Sequence, residues 1–167
     1  MQMQTLNDLF EHEIADLYSA EQQLVEALPK LAGAASDDKL RKAFEHHLEE
    51  TRDHVRRLEE IRDEIGSSAS ETCEGMKGLI AEGEKTIKAD GDPAVKDAAL
   101  IAAAQRVEHY EIAAYGTVRT LADELGLSEA NDLLDQTLEE ESNADTLLTK
   151  IATGGLLKSG INKRAAS

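Results

Sequence analysis

The chain has 167 residues, 41% of them hydrophobic but only 3% aromatic, and its 34 acidic against 18 basic side chains give a formal net charge of −16. Such a charge excludes a nonspecific grip on nucleic acid or on an anionic membrane, since both need a basic face. The single cysteine, Cys73, excludes an internal disulfide and a cysteine-rich metal site, and fits a reducing, cytoplasmic setting.

No apolar run reaches membrane-spanning length, and Met1 to Leu9 carries Asn7 and Asp8 where a signal segment would be apolar. Ala, Leu, Glu and Lys dominate and there are two prolines, which is the composition of an all-α bundle. The length suits one domain, over residues 1–155, followed by a flexible basic tail at 156–167.

The first predicted helix runs from about Leu6 to Leu31, with a stripe of Phe10, Ile14, Leu17, Glu21, Leu24 and Leu28. Pro29 should end or kink it, and Gly33 to Asp37 should form a loop. The second spans about Asp38 to Ile65, with Leu40, Phe44, His47, Thr51, His54, Leu58 and Ile61 along its seam. So short a connection makes the two an antiparallel pair. Next comes a long crossover that carries its own helix near Cys73 to Ala89, closed by the turn Asp90-Gly91-Asp92-Pro93. The spacing predicts a third main helix over Ala94 to Leu125, stopped by Gly126. A fourth covers Glu129 to Ala152, with Ser128 as its N-cap. Two helical pairs joined by a crossover that links parallel neighbours are the plan of a ferritin-like four-helix bundle with an extra helix in the crossover.

Each pair carries acid on its apolar stripe. Glu21 and Glu50 do so in the first half, with His54 one turn after Glu50. Glu108, Glu111 and Glu141 do so in the second, with Asp145 one turn after Glu141. A buried carboxylate is costly unless protonated, paired or bound to metal. One such acid can snorkel to water or pair with a base, but six of them with one imidazole point to two metal ions. Arg52, Arg56 and Arg57 fall toward solvent by helical phase and leave the level without basic partners. Oxygen ligands with one histidine favour iron or manganese, with zinc also compatible. His47 reads as a core histidine beside the ligands, His109, His12 and His46 as surface residues, and Cys73 as an inert or mildly redox-active thiol. Tyr115 and Tyr110 are candidates for hydrogen bonds to a ligand or within the core.

The segments DLYSAEQQLVEALPKLA, HLEETRDHVRRLE, MKGLIAEGE and DAALIAAAQRVEHYEIAAYGTVRTLA closely resemble the YciF family of ferritin-like bacterial stress-response proteins, in order and from near residue 5 to near residue 152. The resemblance implies a ferritin-like bundle, a homodimer and a di-iron centre. By position it implies Glu21, Glu50, His54, Glu108, Glu111, Glu141 and Asp145 as ligands, with Asp145 where the general pattern has a second histidine. VEHYEIAAYG is also similar to rubrerythrin-like peroxidase sites, which would give Glu108 and Glu111 catalytic roles as a bridge and a mobile ligand. Three functions compete at this stage. The first is a peroxidase- or ferroxidase-like centre using O2 or H2O2 and an electron donor of unknown identity. The second is iron binding or storage without turnover, and the third is a metal-free dimeric structural bundle.

Overall fold

The computed structural model describes residues 3–155 and 158–167. Among the described residues, four long helices, one of intermediate length and one short one make up the fold: α1 Leu6–Ala34, α2 Asp38–Glu64, α3 Glu74–Lys88, α4 Pro93–Leu125, α5 Ser128–Thr153 and α6 Ile161–Ala165. Two-residue strands, β1 Gly154–Gly155 and β2 Lys158–Ser159, pair antiparallel between α5 and α6. None of these helices is long and apolar enough to cross a membrane.

Local chemistry explains the boundaries. Thr5 and Asp8 form a reciprocal capping box at the start of α1. Asp37 accepts from the backbone of Lys39 and Leu40 at the start of α2, and Asp92 does the same for Ala94 and Val95, just before Pro93 opens α4. Gly126, at φ 71°, takes the left-handed conformation that closes α4. Two expectations are corrected. Pro29 neither ends α1 nor stands at its edge, for the helix continues to Ala34, and the burial of Leu31 and Ala32 beyond it offsets the missing backbone donor. Ser128 is the first helical residue and not the cap. Leu127 holds the cap position without a side-chain bond.

α1 packs on α2, α4 on α5, α1 on α4 and α2 on α5, so the four long helices form a square and α3 lies against α1 and α4. One apolar cluster joins the end of α1 and the start of α2 to the start of α4 and the end of α5, through Leu24, Leu40, Leu100 and Leu148. The other joins the opposite ends through Phe10, Leu58, Val118 and Leu134. Every adjacent pair is therefore antiparallel. The crossover makes α2 and α4 parallel, as expected, but sets them diagonally across the bundle and not side by side.

The frayed basic end predicted for 156–167 is also corrected within the described residues. Ile161 is buried in the first apolar cluster, and Arg164 donates to Asp37 Oδ2 at 2.6 Å. Gly160 passes so close to the end of α5 that a Cβ there would lie 2.3 Å from the Gly154 nitrogen. One isolated apolar residue anchors this end, and no periodicity could announce it. Leu156 and Leu157 lie outside the described residues.

Candidate metal centre

Between the two apolar clusters the seams turn polar at one height on all four helices. α1 contributes Glu21, α2 contributes His47, Thr51 and His54, α4 contributes Glu108 and Glu111, and α5 contributes Thr137 and Glu141. Glu21, His54, Glu111 and Glu141 are fully buried, and Glu108 and His47 are 2% and 5% exposed. His54 Nδ1 lies 2.9 Å from Glu141 Oε1 and 3.4 Å from Glu21 Oε1. His47 Nε2 lies 3.5 Å from Glu108 Oε1 and 3.6 Å from Glu141 Oε2.

The donor atoms fall into two groups, each within 4.8 Å: His47, Glu108, Glu111 and Glu141 in one, Glu21, His54 and Glu141 in the other. Glu141 belongs to both and turns one oxygen toward each histidine. Among the described residues, all but two of the buried side-chain nitrogen and oxygen atoms without a hydrogen-bond partner belong to these six side chains. Buried polar atoms are normally satisfied. Such a concentration of orphaned Lewis bases fits metal ions.

The electrostatics of the metal-free cluster are self-limiting. Burial drives the Glu108 and Glu111 carboxyls well above the ordinary range; at Glu111 the charges of Glu141, Glu21 and Glu108 push the same way. Burial also raises Glu21, against the pull of His54 and Tyr115. For the imidazoles burial works downward, yet the acids outweigh it. His47 rises to about 10 through Glu108, Glu141 and Glu50, and His54 to about 11 through Glu141 and Glu21. Glu141, facing both, is held below its usual value despite burial. Without metal, the cluster holds protons in the places where cations would sit.

Two supports complete the geometry. His54 Nε2 contacts Glu140 Oε2 at 2.9 Å, and Arg57 donates to both oxygens of Glu140, at 2.6 and 3.0 Å, and to Thr137 Oγ1 at 3.0 Å. Burial would raise the Glu140 carboxyl, but bonds from Arg57, His54 and Gln136 bring it down to about 2. A carboxylate on the far nitrogen fixes ring orientation and tautomer, as it does for metal-binding histidines generally. Opposite, the Tyr115 hydroxyl donates to Glu21 Oε1 at 2.5 Å.

Five of the seven ligands anticipated from the sequence converge here: Glu21, His54, Glu108, Glu111 and Glu141. Two do not. Glu50 stands on the flank with its side chain 25% exposed, near His46 and His47. Asp145 faces outward between α4 and α5, accepting from Gln105 Nε2 at 2.9 Å and lying 3.4 Å from the exposed His109. His47 takes a place inside the cluster. The expectation that Arg57 faces solvent is corrected: it turns inward to Glu140, a residue not singled out from the sequence. The one available signal was that His47 stood in the periodic run from Leu40 to Ile61, whereas Glu50, though read as on the stripe, fell outside that run. Cys73 is buried at the N-cap of α3, its sulfur 2.9 Å from the Tyr110 hydroxyl, which donates to Asp16 Oδ2.

Four long helices with one crossover and a buried acid–histidine layer at mid-height make this protein a ferritin-like bundle. The profile of the family described as "Domain of unknown function (DUF892)" matches residues 5–166. Protein YciF of Escherichia coli (strain K12) is 47% identical over 165 residues, covering 98% of this chain and 99% of its own. The chain belongs to the YciF family of stress proteins. The crystal structure of the E. coli stress protein YciF superposes with a TM-score of 0.83 at 48% identity, over 89% of this chain and 94% of that one. YcfI from Rhodopseudomonas palustris, for which a structural role has been suggested, gives 0.87 at 41%, over 90% and 97%. A Xanthomonas campestris protein shares the fold at 17% identity, with a TM-score of 0.70 over 87% and 89%.

Proposed function

We propose that the cluster is a carboxylate-bridged di-metal centre, di-iron or di-manganese, which reacts with oxygen or hydrogen peroxide during stress. One observation carries this reading: the buried atoms without partners are almost all Lewis bases of six converging side chains. Charge supports a pair of ions. Four carboxylates, Glu21, Glu108, Glu111 and Glu141, balance two divalent cations once both imidazoles are neutral, so metal replaces protons without leaving net charge in the core. Hard oxygen donors with two imidazoles suit iron or manganese, and zinc also fits.

His47, Glu108, Glu111 and Glu141 would hold one ion, and Glu21, His54 and Glu141 the other, with Glu141 shared. The three-residue side leaves room for a small ligand, the pattern of sites that do chemistry. When bound, iron or manganese supplies the electrons that reduce dioxygen or peroxide. Reduction of hydrogen peroxide to two waters also consumes two protons. Glu108 and Glu111, protonated by burial in the metal-free protein, would give up their own protons on ligating metal, so the two protons of the reduction are drawn from water. Glu140 keeps His54 oriented, Tyr115 keeps Glu21 oriented, and the apolar layers above and below exclude water.

The test is elemental analysis of protein loaded anaerobically with ferrous iron, followed by absorption spectra as oxygen or peroxide is admitted. About two irons per chain and a near-ultraviolet band that grows on oxidation are expected. Absence of bound metal in wild type, with Glu141→Ala indistinguishable from it, would sink the reading. A metal-free structural bundle is the second reading, favoured by the close pairing of His54 with Glu141 and Glu140. It predicts that Glu141→Ala leaves His54 short of a partner and destabilises the protein equally with and without metal. Iron uptake without oxidation by peroxide would leave storage as the function.

A further inference from the structure

His47 has two working edges. Its Nε2 faces Glu108 and Glu141 inside the cluster, while its Nδ1 lies 3.5 Å from Glu50 Oε2, and neither nitrogen has a hydrogen-bond partner. The other Glu50 oxygen lies 3.3 Å from Nε2 of His46, whose side chain is 69% exposed. Donor atoms thus pass in an unbroken series from solvent to the buried layer: His46, Glu50, His47, then Glu108 and Glu141. The series coincides with a cavity of about 100 Å³ between α2 and α5, lined by Phe44, His46, His47, Glu50, Glu108 and Ala144 among others. That is space for roughly three waters, enough for a partly hydrated small cation and too little for an organic substrate.

Two other approaches to the layer are covered. One turn further along the same α2–α5 interface, Arg57 is clamped on Glu140 and Thr137, which places a fixed positive charge across the approach to His54. Tyr115 covers Glu21 on the α1–α4 side. The mouth at Glu50 brings a carboxylate, two imidazoles and a channel together.

We propose that His46 and Glu50 form an outer divalent-cation site, and that the cavity behind it is the route by which cations reach the buried centre. This rests on the reading of that centre as a metal site. Glu50 holds the arriving ion against His46, exchanges its waters for protein ligands, and delivers it to His47. His47 then binds it through the inward edge. Glu50 is accordingly a transfer residue and no part of the permanent ligand set. The Glu50 carboxylate at the mouth, on a chain of formal net charge −16, also attracts cations, an effect worth about tenfold to a thousandfold in association rate.

Cobalt(II) is a suitable probe, since its absorption reports coordination. Equilibrium dialysis and stopped-flow mixing are compared for the full-length wild type, the double variant His46→Ala with Glu50→Gln, and Ala144→Leu, which narrows the cavity without touching a donor. Melting curves confirm that each is folded. Wild type is expected to bind a tight pair and a third, weaker cobalt. The double variant should lose the weak site, keep the tight pair, and fill it about tenfold or more slowly. Ala144→Leu should keep all the sites and slow the filling. Unchanged filling rates in both variants overturn the proposal and leave the buried centre standing. Loss of one tight cobalt in the double variant overturns it differently, by making Glu50 a permanent ligand. A wild type that binds no cobalt removes the centre itself, and the route with it.

Discussion

Replacing Glu111 with leucine separates the two demands that the buried layer makes on this fold. Glu111 is fully buried, neither carboxyl oxygen has a partner, and burial together with Glu141, Glu21 and Glu108 makes its ionisation unfavourable. Leaving a buried polar group unsatisfied costs about 1–3 kcal/mol, and an apolar side chain of similar reach avoids that cost. Glu111→Leu should therefore stabilise the metal-free bundle by about 1–3 kcal/mol, or roughly 2–4 °C in Tm for each kcal/mol in a chain of this length. Metal reverses the order. At a hundredfold excess over Kd a bound ion adds about 2.7 kcal/mol to the wild type, and the variant lacks a ligand in the four-residue group. Thermal and urea melts in chelator and in manganese(II) measure both sides. The variant should melt higher than wild type in chelator and gain less from the metal. A variant that melts lower in chelator would refute the reasoning, for Glu111 would then be making a contact worth more than its burial costs.

Metal binding should release protons, since His47 and His54, at about 10 and 11, are both protonated at neutral pH in the metal-free protein; calorimetric titration in buffers of different ionisation enthalpy counts them, and a net release near zero would contradict the assignment. Because both values are raised, their share of metal-free stability is fully present below pH 6.5 and is lost as pH climbs through 10 to 11, which alkaline urea titration reads. Glu140→Gln should weaken metal binding about tenfold to a hundredfold by releasing His54. Glu140 is depressed to about 2, so its contribution is present above pH 4.5 and disappears on acidification through about 2. The stability gap between Glu140→Gln and wild type should close across that window. Ile161→Ala should cost about 2–5 kcal/mol, seen as a lower urea midpoint, if α6 is an integral part of the fold; no change would mean that the anchor is incidental.

The helices were legible because each seam repeats apolar residues at intervals of three and four, and because Asp37, Asp92 and Gly126 mark boundaries with residues whose side chains or backbone geometry suit nothing else as well. The buried polar layer was legible for the same reason: Glu21, Glu108, Glu111 and Glu141 break the apolar pattern in phase. What escaped were positions slightly out of phase. On a helix of 3.6 residues per turn, a residue four places from a seam position is rotated by about 40°. That step leads away from the seam at Glu50, about 80° from Leu58, and at Asp145, about 60° from Leu148, whereas His47 stays within about 20° of Leu40. Arg57 was placed in solvent and Glu140 passed over because neither belongs to a seam. They meet only when α2 and α5 are placed side by side, and adjacency between distant helices is a property of the packing, which periodicity along one chain does not encode. Ile161 escaped for a related reason, since an apolar residue set between Gly160 and Asn162 continues no period.

The division of the core carries its own consequence. Each apolar cluster takes half of every long helix, so the bundle is held at both ends and divided at the waist by a polar layer rich in unpartnered atoms. Cooperative units in proteins follow contiguous packing. With the waist protonated, amide hydrogens near the Phe10 and Leu134 end should exchange on a schedule separate from those near Leu40 and Leu148. Ions at mid-height would tie helices from all four corners to a common point and merge the two schedules into one. The rigidity of the far ends, including α6 where it rests on Asp37, would then report the chemical state of a site that neither end touches.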